Sequence, residues 1–287
     1  MFNKRHIVRT IAATVSILAL SFTAACGSGQ STASNSTDSD DITQQTYKPG
    51  KLTIATGQPA YEPWVMNDNP ESGEGYEAAV AYAVADKLGF KKSDVVWTRI
   101  AFDTAIAPGA KDWDFNIQQF GITDERKKAV DFSSSYYNDS QSVVVKKDSK
   151  FANATKVSDL KDATVGVMVG TLAYDYAKAN IKDDIQTFND DAALAQALDA
   201  GQIDALVTST VECVYMVQSE QVKDAKVLGR LPDSEDKSGM GIVLPKDSKL
   251  TAAVTKAVDD LNADGTIKKL QDKWLAEYTT DLTELKK

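Results

Sequence analysis

The sequence comprises 287 residues, of which 43% are hydrophobic and 25% are charged. That length exceeds the usual size of one compact core, so it predicts one large domain or two lobes. The formal net charge of −9 argues against a nucleic-acid partner. The single histidine, His6, lies in an N-terminal segment that we expect to be removed. The mature protein would then have neither histidine acid–base catalysis nor a His-ligated metal.

The first 25 residues have the pattern of an export signal. Lys4, Arg5 and Arg9 flank the start of an apolar run at 11–22, which small residues connect to Cys26. The run is shorter than the roughly 20 residues that span a bilayer, so the pattern predicts a cleaved signal peptide at 1–25. Its removal takes three positive charges and moves the formal charge from −9 to −12.

The small residues immediately before Cys26 resemble the lipobox of bacterial lipoproteins, although Thr23 stands where that motif prefers Leu. The resemblance implies a lipidated Cys26 that anchors the protein to the cell membrane. The alternative is ordinary cleavage after Ala25, which leaves an unmodified cysteine. If Cys26 is lipidated, Cys213 has no partner for an internal disulfide, and we predict that it is a buried apolar side chain.

A polar stretch, rich in Ser, Thr, Asn, Asp and Gln, follows Cys26 and predicts a flexible tether, so that 26–47 form the lipidated cysteine and its tether. From Lys51 onward, short β-rich runs alternate with longer helical patterns. This alternation predicts an α/β fold built from two units. The runs are 52–55, 76–88 and 95–97 in the first unit, and 164–169, 192–198 and 203–207 in the second.

Three stretches, in chain order, resemble the extracellular solute-binding proteins of polar amino acid ABC importers. They are ATGQPAYEPW at 55–64 with GYE at 75–77, GITDERKKAVDFS at 121–133, and VSDLK at 157–161 leading into VGVMVGT at 165–171. The likeness covers 51–275. It implies a two-lobed periplasmic-binding-protein-like fold of type II, with the ligand in the cleft between the lobes.

The same resemblance implies the division of the chain and its partners. Lobe 1 would comprise 48–143 and 236–287, and lobe 2 would comprise 144–235, with crossings near 142–145 and 237–241. The protein would capture an amino acid or a related small zwitterion outside the cell as a monomer. It would deliver this ligand to a membrane permease that works with a separate ATPase subunit. No cofactor or metal is implied.

Two positions match the residues with which the family binds the ligand carboxylate. Arg126 follows Thr123 by three residues, and a guanidinium offers a carboxylate two parallel N–H bonds. Thr171 with Leu172 matches a helix start, where backbone N–H groups favour an anion. The alternatives are that Arg126 belongs to a charged helical face, that Thr171 is a plain helix cap, and that Thr123 is a helix N-cap.

Aromatic and neutral side chains match the remaining walls of the site. Tyr61 and Phe102 correspond to the family's walls around the ligand side chain, and Trp64 either joins them or packs beneath the site. Gln58 and Met168 match the positions that line the side-chain pocket. Since neither is charged, we expect a ligand with a neutral side chain.

Two positions depart from the family pattern around the ligand ammonium. Ser209 stands where the family commonly has an Asp, and Gly121 replaces a Ser or Thr. A neutral hydroxyl binds an ammonium less well than a carboxylate does. The carbonyl of Gln119, or the carboxylates of Glu62 and Glu212, would have to compensate.

Two other functions remain open on this sequence. Related cleft proteins include dehydratases that act on cyclic carboxylic acids, and Glu62 and Glu212 are candidate general acids for such an enzyme. A surface sensor or interaction module that has lost solute binding is the third possibility, and the departures at Ser209 and Gly121 favour it.

Overall fold

The computed structural model describes residues 41–279 and 282–287. The predicted signal peptide and Cys26 lie outside these residues. Over the two described ranges, no helix has both the length and the apolar character needed to cross a membrane. Cys213 is a free cysteine with 0% exposure, as predicted.

The first sheet has five strands in the order β2-β1-β3-β10-β4. These strands are β1 (Leu52–Thr56), β2 (Val95–Arg99), β3 (Phe115–Asn116), β4 (Val130–Tyr137) and β10 (Met240–Pro245). β1 pairs in parallel with β2 and β3, whereas β10 runs antiparallel to β3 and β4. All five residues of β1 are buried, as expected for a central parallel strand that is covered on both faces.

Four helices complete this first lobe: α1 (Tyr76–Lys87), α2 (Phe102–Ile106), α6 (Thr251–Ala263) and α7 (Thr266–Trp274). A turn with Gly265 in a left-handed conformation separates α6 from α7. The α6 residues Val254, Val258 and Leu261 recur on one helical face, and they are buried against β1 and α1 in one core cluster.

The second sheet repeats this plan, with five strands in the order β7-β6-β8-β5-β9. These strands are β5 (Gln141–Lys146), β6 (Val165–Met168), β7 (Gln186–Phe188), β8 (Ala205–Ser209) and β9 (Ala225–Arg230). Helices α3 (Leu172–Asn180), α4 (Asp191–Asp199) and α5 (Thr210–Gln218) pack on it and complete the second lobe. The predicted two-lobed α/β fold is therefore confirmed.

The chain passes between the sheets earlier than the sequence predicted. β4 ends at Tyr137 and β5 begins at Gln141, so the first crossing is 138–140 rather than 142–145. All of 141–145 pairs with β8 in the second sheet, which therefore extends to the N-terminal side of the predicted boundary at 143. The return crossing lies between Arg230, at the end of β9, and Met240, at the start of β10.

Both ends of the described chain differ from the predicted division. The last residues, assigned to lobe 1, contact the second lobe, because Leu285 is buried in its core and Glu284 bridges to Arg230. At the other end, part of the predicted tether is packed rather than free. Thr46 is buried, and Tyr47 donates its N–H to Asp114 Oδ1 at 2.6 Å.

Candidate functional site

A cavity of about 850 Å³, including the part that opens to solvent, lies between the two lobes. Both lobes line it, and its size suits a single small ligand. Its lining includes ten of the eleven ligand-binding residues predicted from the sequence: Tyr61, Trp64, Phe102, Gln119, Gly121, Arg126, Met168, Thr171, Leu172 and Ser209. Gln58, the eleventh, is exposed and is not among the lining residues.

Arg126 reaches from the first lobe to the second. Its Nη1 donates to Gly121 O at 2.6 Å and its Nη2 donates to Gly170 O at 2.8 Å, across the cleft. A guanidinium has five N–H donors, so three remain for a ligand. The charged-helix alternative does not describe this position, since only a short 3₁₀ turn runs from Arg126 to Lys128. Thr123 Oγ1 accepts the N–H of Arg126, which fixes the start of that turn.

The first turn of α3 faces Arg126 from the second lobe. Thr171 caps this helix, because its Oγ1 accepts the N–H of Tyr174 and donates to Met168 O. The hydroxyl proton is therefore engaged within the protein. The first N–H groups of a helix have no partner within it, so the backbone around Leu172 is the group that remains for an anion.

Aromatic side chains form the walls of the cavity. Phe102 stacks on Phe120 with ring centroids 4.4 Å apart, and the guanidinium of Arg126 lies 5.5 Å from the Phe102 ring. Trp64 is fully buried, yet it also lines the cavity, so it serves both as core and as wall. Tyr61 Oη accepts the N–H of Ala192 from the second lobe.

A buried glutamate positions Gln119. Glu77 accepts the backbone N–H of Gln119 at 2.7 Å, and it also accepts hydrogen bonds from the Gln119 side chain and the Tyr136 hydroxyl. Gln119 has a φ of 51°, an uncommon conformation that these bonds hold. Burial raises the pKa of Glu77 to about 7, although its hydrogen bonds oppose this rise. Glu77, the last residue of the sequence motif GYE, therefore holds Gln119 in place at the cavity.

The two departures from the family pattern have different structural settings. Ser209 caps α5 and accepts the N–H of Glu212, so its hydroxyl is at the cavity but is also part of the helix start. Gly121 lies where the lobes approach closely. An ideal Cβ added there would lie 2.6 Å from Leu172 Cδ1 and 2.7 Å from Asp236 Oδ2, so a larger residue requires these two side chains to move.

Of the suggested compensating acids, Glu212 lines the cavity and Glu62 does not. Glu62 instead accepts the hydroxyl of Tyr215 at 3.1 Å, which connects the two lobes away from the cavity. Three further lining carboxylates were not singled out from the sequence: Asp139, Asp191 and Asp236. They come from the first crossing, the start of α4 and the return crossing, which no short motif joins. Acidic residues at crossings and helix starts are the signal that would have found them.

The cavity carboxylates hold their protons more tightly than usual. Burial raises the pKa of Asp139 to about 6, against the opposing effect of its hydrogen bonds. Burial is also the main cause that raises the pKa of Asp191, Glu212 and Asp236. No group of three or more His, Cys, Asp or Glu side chains in 41–279 and 282–287 is arranged to hold a metal ion.

These raised pKa values predict that the ligand-free protein loses stability as the pH rises from about 4 to 7. A carboxyl group with a raised pKa binds its proton more tightly in the folded state, and that advantage disappears as the folded pKa is passed. A tenfold difference in proton affinity between the folded and unfolded states corresponds to about 1.4 kcal/mol per group. Glu77, with a pKa of about 7, and Asp139, with a pKa of about 6, set the window. Melting temperatures measured across this range should fall; an increase would contradict these protonation states.

The family model described as bacterial extracellular solute-binding proteins, family 3, matches residues 52–277, which include both lobes and the whole cavity. The chain belongs to this family. Its members are extracellular proteins, so the family indicates a location outside the cytoplasm.

Three relatives illustrate the range within the family. The L-arginine-binding protein of Pseudomonas aeruginosa is 29% identical over 245 residues, covering 80% of this chain and 88% of the relative. The L-cystine-binding protein TcyJ of Escherichia coli K12 is 29% identical over 223 residues, covering 77% and 81%. A solved structure of the ancestral amino acid-binding protein AncCDT-1, described as a precursor of cyclohexadienyl dehydratase, has a TM-score of 0.66 at 29% identity, covering 79% and 96%.

Proposed function

We propose that this solute-binding protein captures an amino acid outside the cell and delivers it to the permease of an ABC importer. The observation that carries the proposal is the meeting of Arg126 and the start of α3 across the cleft. A ligand carboxylate between them receives charge-assisted bonds from the first lobe and backbone N–H groups from the second. The names of the relatives, which bind arginine and cystine, support an amino acid as the ligand.

Contacts to both lobes give the ligand a means to favour the closed form. The lobes already meet through five hydrogen bonds among the described residues: Arg126 to Gly170, Trp64 to Glu212, Ala192 to Tyr61, Tyr215 to Glu62, and Gln218 to Glu277. A ligand that binds both lobes adds affinity to the closed arrangement alone and shifts the population toward it. The permease would then recognise the closed form.

The proposal is tested by the melting temperature of the purified protein after unfolding and refolding to remove bound solutes. At least one α-amino acid should raise the melting temperature, because a ligand that binds only the folded state stabilises it. Screening a panel of amino acids, amino acid derivatives and simple carboxylates identifies which compound binds. No shift with any α-amino acid would instead favour the sensor or interaction module.

We propose that the protein acts by binding and not by catalysis, as a monomer. The alternative is a dehydratase-like enzyme, for which Glu212 is the candidate acid within the cavity. Formation of a product from a cyclic carboxylic acid would establish that alternative. We also propose that Cys26 anchors the protein to the membrane, since the export signal and lipobox-like residues precede it. The mass of the N-terminal peptide of the mature protein tests this lipidation.

A further inference from the structure

The charges that line the cavity are unequal. Arg126 is its one cationic side chain among the described residues, whereas four lining side chains are acidic: Asp139, Asp191, Glu212 and Asp236. A zwitterionic amino acid with a neutral side chain adds one carboxylate and one ammonium. It would therefore leave the excess of acidic groups unchanged, and a buried acidic group without a cationic partner either keeps its proton or is costly to ionise.

The acidic side chains fall into two groups. Asp236 acts electrostatically on Arg126, whereas Glu212 experiences the charges of Asp191 and Asp139. Asp139 faces the first backbone amides of α5, which partly offset its charge. Asp191 and Glu212 remain, and we refer to these two residues as the acidic pair.

Asp236 is placed to hold the α-ammonium. An α-ammonium is one carbon away from the α-carboxylate, so a ligand whose carboxylate binds Arg126 brings its ammonium to the same end of the cavity. Asp236 Oδ2 is buried there and accepts no hydrogen bond from the described residues. It lies 2.7 Å from the position of an added Cβ at Gly121, close to where the family has a hydroxyl. The acidic pair is then left for another part of the ligand.

The acidic pair offers acceptors without matching donors. Glu212 is only 4% exposed; its Oε2 accepts the Trp64 Nε1–H at 3.3 Å, and its Oε1 accepts nothing from any residue that the structure describes. Asp191 Oδ1 has a long contact of 3.4 Å with Thr208 Oγ1. Tyr61 and Trp64 also line the cavity, and aromatic rings are favourable neighbours for a cation.

We propose that the acidic pair binds a cation on the ligand side chain, so that the ligand is an α-amino acid with a side-chain ammonium or guanidinium. This inference rests on the proposed function and names its substrate class. It replaces the sequence-based expectation of a neutral side chain, which came from Gln58 and Met168. Gln58 lies outside the lining, and neither position revealed Asp191 or Glu212.

The test compares cationic amino acids with neutral amino acids of the same shape, by titration calorimetry at neutral pH. L-Arginine is paired with L-citrulline, and L-lysine with L-norleucine. At least one cationic member should bind about 30-fold or more tightly than its neutral counterpart, consistent with charge-assisted bonds to a buried Glu212 and a half-buried Asp191. The combined variant Asp191→Asn, Glu212→Gln should reduce this ratio to about threefold or less.

Asp190→Asn is the matched control. Asp190 neighbours Asp191 but caps α4 through the N–H of Ala193, and asparagine caps a helix equally well. This variant should retain the cationic preference. The melting temperatures of all ligand-free variants show whether each protein is folded.

The outcomes separate the inference from the proposed function. If citrulline or norleucine binds as tightly as its cationic partner, the inference is wrong and amino acid capture stands. If the combined variant loses affinity for both amino acids of a pair by the same factor, the acidic pair holds the α-ammonium instead. That result also overturns the inference. If no α-amino acid binds the wild-type protein, the proposed function itself fails.

Discussion

Replacing Arg126 by alanine is expected to lower the affinity for the amino acid ligand by about 100-fold or more. Arg126 lines the cavity and donates to Gly121 O and Gly170 O, which leaves three of its N–H donors for a ligand. Removing one partner of a desolvated charge pair costs on the order of 3 to 5 kcal/mol, and each 1.4 kcal/mol is a factor of ten. The same variant also loses a direct hydrogen bond between the lobes.

Lys128→Ala is the control for Arg126→Ala. It removes one positive charge two residues away, from an exposed side chain that pairs with Glu125 on the surface. Exposed ion pairs contribute little, so its affinity should match the wild type within about twofold. Calorimetric titration of both variants measures the effect. Binding by Arg126→Ala within about threefold of the wild type would show that the carboxylate lies elsewhere.

Gly121→Val is expected to weaken ligand binding by about 5-fold to 150-fold by keeping the lobes apart. Gly121 belongs to the first lobe and Leu172 to the second, and an added Cβ would lie 2.6 Å from Leu172 Cδ1. Overpacking of this kind costs about 1 to 3 kcal/mol. Because the contact with Leu172 exists only where the lobes meet, this part of the cost falls on the closed form.

A second substitution tests the cause of this effect. Leu172→Ala removes the Leu172 atoms that the new side chain would meet and leaves Asp236 Oδ2 in place, so Gly121→Val combined with Leu172→Ala should recover part of the lost affinity. Leu172→Ala alone provides the reference. If the double variant binds no better than Gly121→Val, contact between these two positions is not what limits closure.

The fold could be predicted because its signals are local. The apolar run at β1, the helical period of α6 and the turn at Gly265 each specify one element, and the structure contains all three. The crossing was misplaced because the apolar residues of β5, 143–145, would fit either sheet. The pairing of β5 with β8 places it in the second sheet, and the paired residues lie 60 to 68 positions apart in the sequence.

The site was predictable where one motif contained the chemistry. Arg126 and Gly121 lie within a single stretch of 13 residues, and the structure brings both to the cavity. The cavity carboxylates come instead from separate segments of the chain. In the sequence, Asp191 is an ordinary first residue of a helix and Asp236 an ordinary loop residue. Only the fold brings both to the same cavity.

The most direct test of amino acid capture is titration calorimetry with the amino acid that stabilises the protein most, alongside its α-carboxamide. The amide keeps the side chain and the ammonium but removes the negative charge that Arg126 and the start of α3 would bind. The free acid should bind with one site per protein, and the amide about 100-fold more weakly. Equal binding of the two would contradict the assignment of Arg126, and no binding of the free acid would contradict capture in this cavity.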